Sequence, residues 1–198
     1  MKTEYIKVLS GEDTVVNVEQ DTQFVLDLTG SDKTADLSFS VVFEKPGVKA
    51  EIIGIYKLLE DQKIKLETAS IHKVPNTECF TRIKGVLMDN SQSDYRGKII
   101  IEKRAQQTNS FLEDNVVVMG QNTKNSSQPI LEIDADDVKA SHGATTGRVS
   151  PEQVLYLKSR GLSEEEAQDI IIEGFFASLL GRIEDERIRD KVKEKLNV

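Results

Sequence analysis

Short apolar runs separated by polar turns constrain the fold of this chain more than any other feature of its sequence. The runs lie between residue 4 and about residue 142, and their centres are roughly ten to fifteen residues apart. Each run is long enough to cross a core once, which predicts strands in preference to helices. They read VVNV at 15–18, FVLDL at 24–28, LSFSVVF at 37–43, AEIIGIY at 50–56, KIKLET at 63–68, IIIE at 99–102, VVVM at 116–119 and ILEI at 130–133. A sandwich, a barrel and a β-solenoid all fit this spacing, and no fixed-length repeat in the sequence selects one of them.

Two further patterns refine the strand-rich region. The runs VVVM and IIIE are apolar at successive positions, which is common where both faces of a strand are covered. The segments 89–97 and 120–129 are polar and rich in Asn, Ser and Gly, which predicts exposed loops. We therefore expect stacked or two-sided sheets joined by polar loops.

Length, charge and cysteine content exclude several classes of protein. The 198 residues suffice for one core with a small annex, and the formal net charge of −8 leaves no basic surplus for binding nucleic acid. No apolar stretch approaches the roughly 18 residues of a membrane helix, and the first residues lack the apolar core of a signal peptide, so we expect a cytoplasmic protein without a membrane partner. The single cysteine, Cys79, excludes an intramolecular disulfide and a cage of cysteine ligands within one chain.

Helix signals replace the strand runs at residue 150. Ser150 followed by Pro151 predicts the start of a short helix, and Ser163 with Glu166 forms the capping box of a longer one. In the longer helix, apolar residues at three- and four-residue spacing predict one buried face. That face consists of Ala167, Ile170, Ile171, Gly174, Phe175 and Leu179.

A third helix is predicted near the end of the sequence, where Ile188, Val192 and Leu196 recur every four residues. We therefore divide the chain into a strand-rich region, 1–149, and a helical region, 150–198. Because the helices are amphipathic, their natural use is docking, either on the chain's own sheet or on a partner.

The segment 134–148, DADDVKASHGATTGR, is the part of the sequence in which reactive side chains are densest. A histidine near carboxylates can ligate iron or zinc, or carry protons near neutral pH, so His142 is a candidate site residue. The alternative is a turn whose histidine merely bonds to the backbone, since one histidine without a fixed ligand partner is weak evidence. His72 and Cys79 could meet across strands, but nothing supplies an orienting third group, and a buried cysteine is more often a small hydrophobe. The sequence contains no phosphate-binding loop, so the chain is not expected to hydrolyse ATP itself.

Residues 130–176 resemble the C-terminal core of the SufB/SufD family of iron–sulfur cluster assembly proteins. The similar motifs are the L-E-I-x-A-D-D-V-K stretch, the S-H-G-A-T-x-G-R turn, the Q-x-x-Y-L-x-S-R-G-L helix and the A-x-x-x-I-I-x-x-F helix. Residues 105–120 resemble the stretch that precedes the last strands of the family. SufB-type chains have an E-H-E turn where this sequence has Ser141 and Gly143 beside the histidine, so the resemblance is to SufD.

The resemblance implies a mainly β protein, a right-handed parallel β-helix followed by a small helical segment, and so selects among the folds left open above. It also implies a non-enzymatic protein that pairs through its β-helix, either with itself or with a SufB-type partner. The helical segment would dock a SufC-type ABC ATPase, and Phe175, Phe176 and Leu179 would contribute to that contact.

The resemblance makes His142 the candidate ligand for iron, or for a transient iron–sulfur cluster, at the interface of the pair. Its turn would be shaped by Asp136, Asp137, Ser141 and Gly143. The scaffold cysteine of SufB-type chains is absent from residues 105–120, where Glu113 and Asp114 are expected to solvate a turn. No cluster is therefore expected to be held stably by this chain alone, and the sequence resembles a minimal core without the long N-terminal extension of typical members.

Two other functions are compatible with the same sequence. A stand-alone β-helix enzyme of the hydrolase kind would use the acidic turn at 134–137 as its active site. A divergent homodimeric adaptor would keep the docking helices but would have lost the role in cluster assembly.

Overall fold

The computed structural model describes residues 1–28 and 33–197. Within them, eleven β-strands precede three α-helices. The elements are β1 (Lys2–Lys7), β2 (Asp13–Asn17), β3 (Thr22–Asp27), β4 (Thr34–Phe43), β5 (Lys49–Leu58), β6 (Lys63–His72), β7 (Glu78–Leu87), β8 (Gln92–Ile101), β9 (Asn109–Val118), β10 (Lys124–Ile133), β11 (Lys139–Arg148), α1 (Pro151–Ser159), α2 (Glu164–Leu180) and α3 (Glu186–Leu196).

The strands form two parallel sheets between which the chain passes alternately. In the described residues, the odd-numbered strands make a six-stranded sheet in the order β1-β3-β5-β7-β9-β11, and the even-numbered strands make a five-stranded sheet in the order β10-β8-β6-β4-β2. Each strand pairs in parallel with the strand two places along the sequence, as β7 does with β9. This is the winding of a parallel β-helix, which confirms the fold that the resemblance implies.

The core lies between the two sheets and is built from aligned columns of side chains. Alternate residues point inward, so that β9 buries every second residue from Ser110 to Val118. One column stacks Phe24, Ile52, Thr81 and Leu112 from successive coils, and all four side chains are buried. Because the coils pair in register, a residue's position in a column determines whether it faces the core.

The loops predicted at 89–97 and 120–129 are wrong, because β8 and β10 occupy most of these segments. Polar side chains in them point into the coil and pair with polar side chains of the neighbouring coil. The buried hydroxyl groups of Tyr95 and Thr68 lie 2.7 Å apart. The turn predicted around His142 is likewise a strand, β11, which pairs with β9 along its whole length.

Local capping signals begin the helices where the sequence predicts them. The Ser150 hydroxyl accepts a hydrogen bond from the Glu152 amide, and Ser163 and Glu166 form the reciprocal capping box. α2 and α3 pack on the outer face of the six-stranded sheet, over a second apolar cluster that includes Ile53 and Val86. No helix in the described part of the chain is long and apolar enough to cross a membrane.

The predicted buried face of α2 is wrong in part. The residues that the helix buries are Ala167, Ile172, Phe176, Leu179 and Leu180, and all but Ala167 belong to the cluster over the sheet. Ile170, which was assigned to this face, is 46% exposed. The helix carries adjacent apolar residues at 170–172, 175–176 and 179–180, so three- and four-residue spacing defines two overlapping stripes, and the contact with the sheet selects one of them.

Candidate functional site

The candidate site lies on the last coil of the β-helix, formed by β10 and β11. Each of these ten-residue strands is the terminal strand of its sheet and is paired on one side only. The inward column positions of this coil have no further coil above them, so Leu131 and Ile133 are 36% and 38% exposed. The last coil therefore exposes both unpaired backbone and interior side chains.

His142 lies in the middle of β11, directly opposite Leu112 of β9. It continues the inward column that contains Leu112, but it is exposed because it stands at the end of that column. Among the described residues, its ring makes no hydrogen bond and no ion pair. Ser141 and Gly143 point to the other face of the same strand.

Asp136 and Asp137 lie in the turn that leads into β11. The Asp137 carboxylate accepts a hydrogen bond from the Gln107 amide, and the Asp137 backbone amide donates to the Gln106 side-chain oxygen over 2.9 Å. Asp137 and His142 are five positions apart in the sequence, which corresponds to about 16 Å in extended chain. The acidic turn is thus fastened to the preceding coil, and its influence on His142 stays a prediction.

A buried polar cluster that the sequence does not reveal lies beneath β11. Asp114 on β9 is fully buried opposite Ala144, and neither of its carboxylate oxygens has a hydrogen-bond partner among the described residues. The hydroxyl groups of Tyr56 and Ser127 are also buried and unpartnered there. Burial raises the pKa of the Asp114 carboxyl to about 6, and the nearby Ser127 hydroxyl partly opposes that rise. The expectation that Asp114 solvates a turn is therefore wrong.

Tyr56 belongs to this cluster because of a glycine in the next coil. Its ring lies against Gly85, where a Cβ atom would come within 2.3 Å of the ring. Burial raises the pKa of the Tyr56 hydroxyl, and the negative charge of Asp114 adds to the rise. Asp114 could have been located only from the strand register, since the sequence EDN at 113–115 reads as an exposed polar segment.

The structure does not assemble a nucleophilic pair from His72 and Cys79. The His72 ring stacks on Phe43 and its Nδ1 atom lies 2.8 Å from the Thr77 hydroxyl. Burial lowers the pKa of His72 to about 3 and raises the pKa of Cys79 to about 12, so each is neutral near pH 7. In the described residues, no group of three or more His, Cys, Asp or Glu side chains could hold a metal ion.

The helices offer a different surface from the one formed by the three predicted docking residues. Phe176 and Leu179 are buried against the chain's own sheet, and Phe175 is half-buried beside Phe176. These side chains lie on the side of α2 that faces the sheet, so any contribution to docking would be indirect. Their part in docking stays a prediction. The apolar residues that α1 and α2 expose are Leu155, Tyr156 and Ile170, at 67%, 58% and 46%.

Comparison with known proteins shows which family this chain is similar to. The sequence model of the SUF system FeS cluster assembly, SufBD core domain, matches residues 7–175. SufD of Escherichia coli (strain K12) is 33% identical over 149 residues, which are 75% of this chain and 33% of that protein. SufD of Bacillus subtilis (strain 168) is 34% identical over 132 residues, or 67% of this chain and 30% of that protein. A SufBD family protein of Mycobacterium leprae (strain TN) is 30% identical over 164 residues, or 79% of this chain and 42% of that protein. The chain thus spans between 30% and 42% of the length of these relatives.

Proposed function

Because the chain belongs to the SufB/SufD family of iron–sulfur cluster assembly proteins, we propose that it is a SufD-like, non-enzymatic component of the SUF machinery. In this proposal it pairs through its β-helix and docks a SufC-type ATPase through its helices. The observation that carries the proposal is the open last coil, which presents two unpaired strand edges and an uncovered interior beside His142.

Pairing is supported by the physical chemistry of the last coil. A long edge strand exposes backbone amide and carbonyl groups that bind another strand readily, and monomeric proteins usually block such edges with charges, proline or a covering element. In β11, only the first and last residues, Lys139 and Arg148, carry full charges. The partner in this proposal is a second copy of the chain or a SufB-type protein, whose strand or interior residues would cover Leu131 and Ile133.

In this proposal the iron–sulfur cluster under assembly is cargo at the interface, and His142 is the residue that binds it. An exposed, unpartnered imidazole can bind iron or accept a proton without breaking any contact in the fold. A single imidazole is one ligand, and the proposal assigns the others to the partner subunit. Asp136, Asp137, Ser141 and Gly143 are proposed to position the strand that carries it.

Docking of the ATPase is proposed at the exposed apolar side of α1 and α2. α1 buries none of its residues, and a groove of about 390 Å³ between the two helices is lined by Tyr156, Leu157 and Ile171. Large apolar residues clustered on a surface mark contact sites for partner proteins. A SufC-type ATPase would also supply the nucleotide chemistry, for which the sequence has no phosphate-binding loop.

The test is co-purification of the full chain with the SufC-type ATPase of the same host, with ATPase stimulation measured alongside binding. We expect the wild-type chain to bind and stimulate, and Tyr156→Asp, which places a charge in the groove, to lose both. Leu9→Asp is the matched control, because Leu9 is an exposed leucine at 44% in the loop after β1. Failure of the folded wild-type chain to bind, or equal loss in both variants, would contradict the proposal and would make a hydrolase screen the next measurement.

A further inference from the structure

A cleft with a positive charge surplus separates α2 from the outer face of the six-stranded sheet. Its volume is about 280 Å³, and polar side chains of β7, β9 and the end of α2 line it. These are Arg82, Lys84, Glu113, Asn115, Ser178 and Arg182. Three of these six side chains are cationic, although the net charge of the chain is −8.

Lys84 is held in this cleft by neutral groups. Its ammonium donates to the Phe175 carbonyl oxygen over 2.6 Å and to the Ser178 hydroxyl over 2.7 Å, and it lies 4.5 Å from the centre of the Phe175 ring. It forms no ion pair with the described residues. Burial lowers the pKa of Lys84, and Glu113 opposes this only in part. An ammonium has three hydrogens, so one remains for a ligand after the two hydrogen bonds.

The Arg182 guanidinium also has unused donors. Its Nη1 atom lies 3.8 Å from Glu51, beyond hydrogen-bond distance, and its side chain donates no hydrogen bond among the described residues. The Glu51 carboxylate is already occupied by Arg82, at 2.5 Å, and by the Gln23 amide, at 2.8 Å. Arg182 therefore lines the cleft with only a long ion pair to Glu51, and its N–H donors remain available to a ligand.

The carboxylates near the cleft do not balance its cations. Arg82, Lys84 and Arg182 face two carboxylates, Glu51 and Glu113, which leaves one surplus positive charge. The Glu113 carboxylate accepts a hydrogen bond from Asn115 over 2.7 Å and lies 4.0 Å from Arg82. The negative end of the α2 dipole opposes an anion here, and the Lys84 ammonium, bound to the Phe175 carbonyl near that end, offsets it in part.

We propose that this cleft binds a small oxyanion, a carboxylate or phosphate group, between the ammonium of Lys84 and the guanidinium of Arg182. The fork of Arg182 would bind two oxygens of the anion, and Lys84 would bind it as a point charge. The Ser178 hydroxyl and the second amide hydrogen of Asn115 are further donors at the same cleft. No residue of β10, β11 or α1 lines the cleft, so anion binding can be tested on the chain alone, without a pairing partner or the ATPase.

The experiment is a calorimetric titration of the full chain at low ionic strength, with inorganic phosphate in one arm and malonate in the other. We expect saturable binding in at least one arm, and the stronger arm identifies the class of oxyanion. Arg182→Gln should weaken that binding about tenfold or more, because it removes a charge-assisted, bidentate contact. Lys84→Met, which keeps the length of the side chain, should weaken it similarly.

Arg187→Gln is the matched control, since it removes the same charge from an exposed arginine outside the cleft. It should leave the affinity unchanged, and the thermal unfolding of Arg182→Gln should match that of the wild type. The proposal is overturned if neither anion binds at millimolar concentration. It is also overturned if Arg187→Gln weakens binding as much as Arg182→Gln, since that would indicate general screening of charge.

Discussion

Asp114 is the residue whose ionised form the fold accommodates least. Its carboxylate is buried on β9, beneath the last coil, without a hydrogen-bond partner among the described residues, and lies beside the similarly unpartnered Tyr56 and Ser127 hydroxyls. An ionised carboxylate in such surroundings costs several kcal/mol unless it binds a proton. The pKa of about 6 means that the carboxyl keeps its proton in the folded chain at a pH where the unfolded chain has lost it.

This difference predicts a pH dependence of stability with a defined sign. Between about pH 4 and the folded-state pKa of about 6, the folded chain binds more protons than the unfolded chain, so the free energy of unfolding falls as pH rises. A rise of the pKa from its ordinary value near 4 to about 6 corresponds to a loss of roughly 3 kcal/mol, complete by about pH 7. Asp114→Asn should remove this loss, so its stability relative to the wild type should rise between about pH 5 and about pH 8.

Urea unfolding of both chains at these two pH values measures the effect. Asp136→Asn is the control, because Asp136 is exposed in the turn before β11 and its replacement should not change the pH dependence relative to the wild type. An Asp114→Asn chain whose stability differs from the wild type by the same amount at both pH values would contradict the assignment of the buried carboxyl.

His142 represents the opposite situation, an exposed and unpartnered side chain that the fold does not use. His142→Ala should therefore leave the free energy of unfolding within about 0.5 kcal/mol of the wild type. In a reconstituted SUF system it should slow cluster assembly about tenfold or more, as the loss of a ligand or its support does in metal sites. Lys139→Ala, which changes an exposed residue on the other face of the same strand, should assemble clusters at the wild-type rate. Normal assembly by His142→Ala would remove the proposed role.

The sequence located His142 but not the residues around it. Its candidacy depended on residue type and on the resemblance, both of which can be read along the chain. Asp114 and the cleft between Lys84 and Arg182 depend on register and on helix packing, which bring residues together across many positions of sequence. Neither can be predicted from local composition.

Among the elements, α2 differs most clearly from its prediction, and the difference can be tested. Phe176 is fully buried against the sheet, whereas Ile170 is 46% exposed. Phe176→Ala should destabilise the chain by about 3 to 5 kcal/mol, because it opens a cavity in the second apolar cluster. Ile170→Ala should change stability by no more than about 0.5 kcal/mol. Denaturant unfolding of both variants decides the point, and the opposite order would restore the face predicted from the sequence.

The elements were predictable to the extent that their signals are local. The caps at Ser150 and Ser163 act within four residues, so the sequence was sufficient to predict them. The strands β8, β10 and β11 carry inward polar residues that pair with neighbouring coils, so the alternation of apolar and polar residues that marks a half-buried strand is missing. β7 is also absent from the predicted runs, because Thr81 and Gly85 interrupt the apolar residues of its inward face.

For the whole molecule, the spacing of the runs allowed several folds and the resemblance selected one. A β-helix and a sandwich both use short strands at similar intervals, and they differ in which strands pair. In this chain each strand pairs with the strand two places along the sequence, as β7 does with β9. The spacing of the apolar runs does not reveal this pairing. The sequence does indicate the apolar outer face over which α2 packs. The run VVVM is apolar at successive positions, and both Val117 and Met119 contact the second apolar cluster.

For the whole molecule, the open last coil predicts that charges introduced at its interior positions prevent pairing. Leu131 and Ile133 occupy inward column positions that no further coil covers, so a lysine at each would place two charges where a partner must exclude water. The double variant Leu131→Lys and Ile133→Lys should therefore be unable to pair, while its circular dichroism stays that of the wild type. Light scattering after gel filtration should give the wild-type chain, alone or with a SufB-type protein, the mass of a pair. The double variant should elute at the monomer mass of 22.2 kDa under both conditions.

Two exposed leucines provide the control for this prediction. Leu9 and Leu59 are 44% and 43% exposed, outside the last coil, and Leu9→Lys with Leu59→Lys adds the same charge without touching β10 or β11. This control should pair as the wild type does, because it leaves the strand edges and the open interior unchanged. Pairing by the variant at 131 and 133 would place the interface elsewhere on the β-helix. A wild-type chain that stays monomeric under both conditions would mean that the exposed edges of β10 and β11 do not bind such partners.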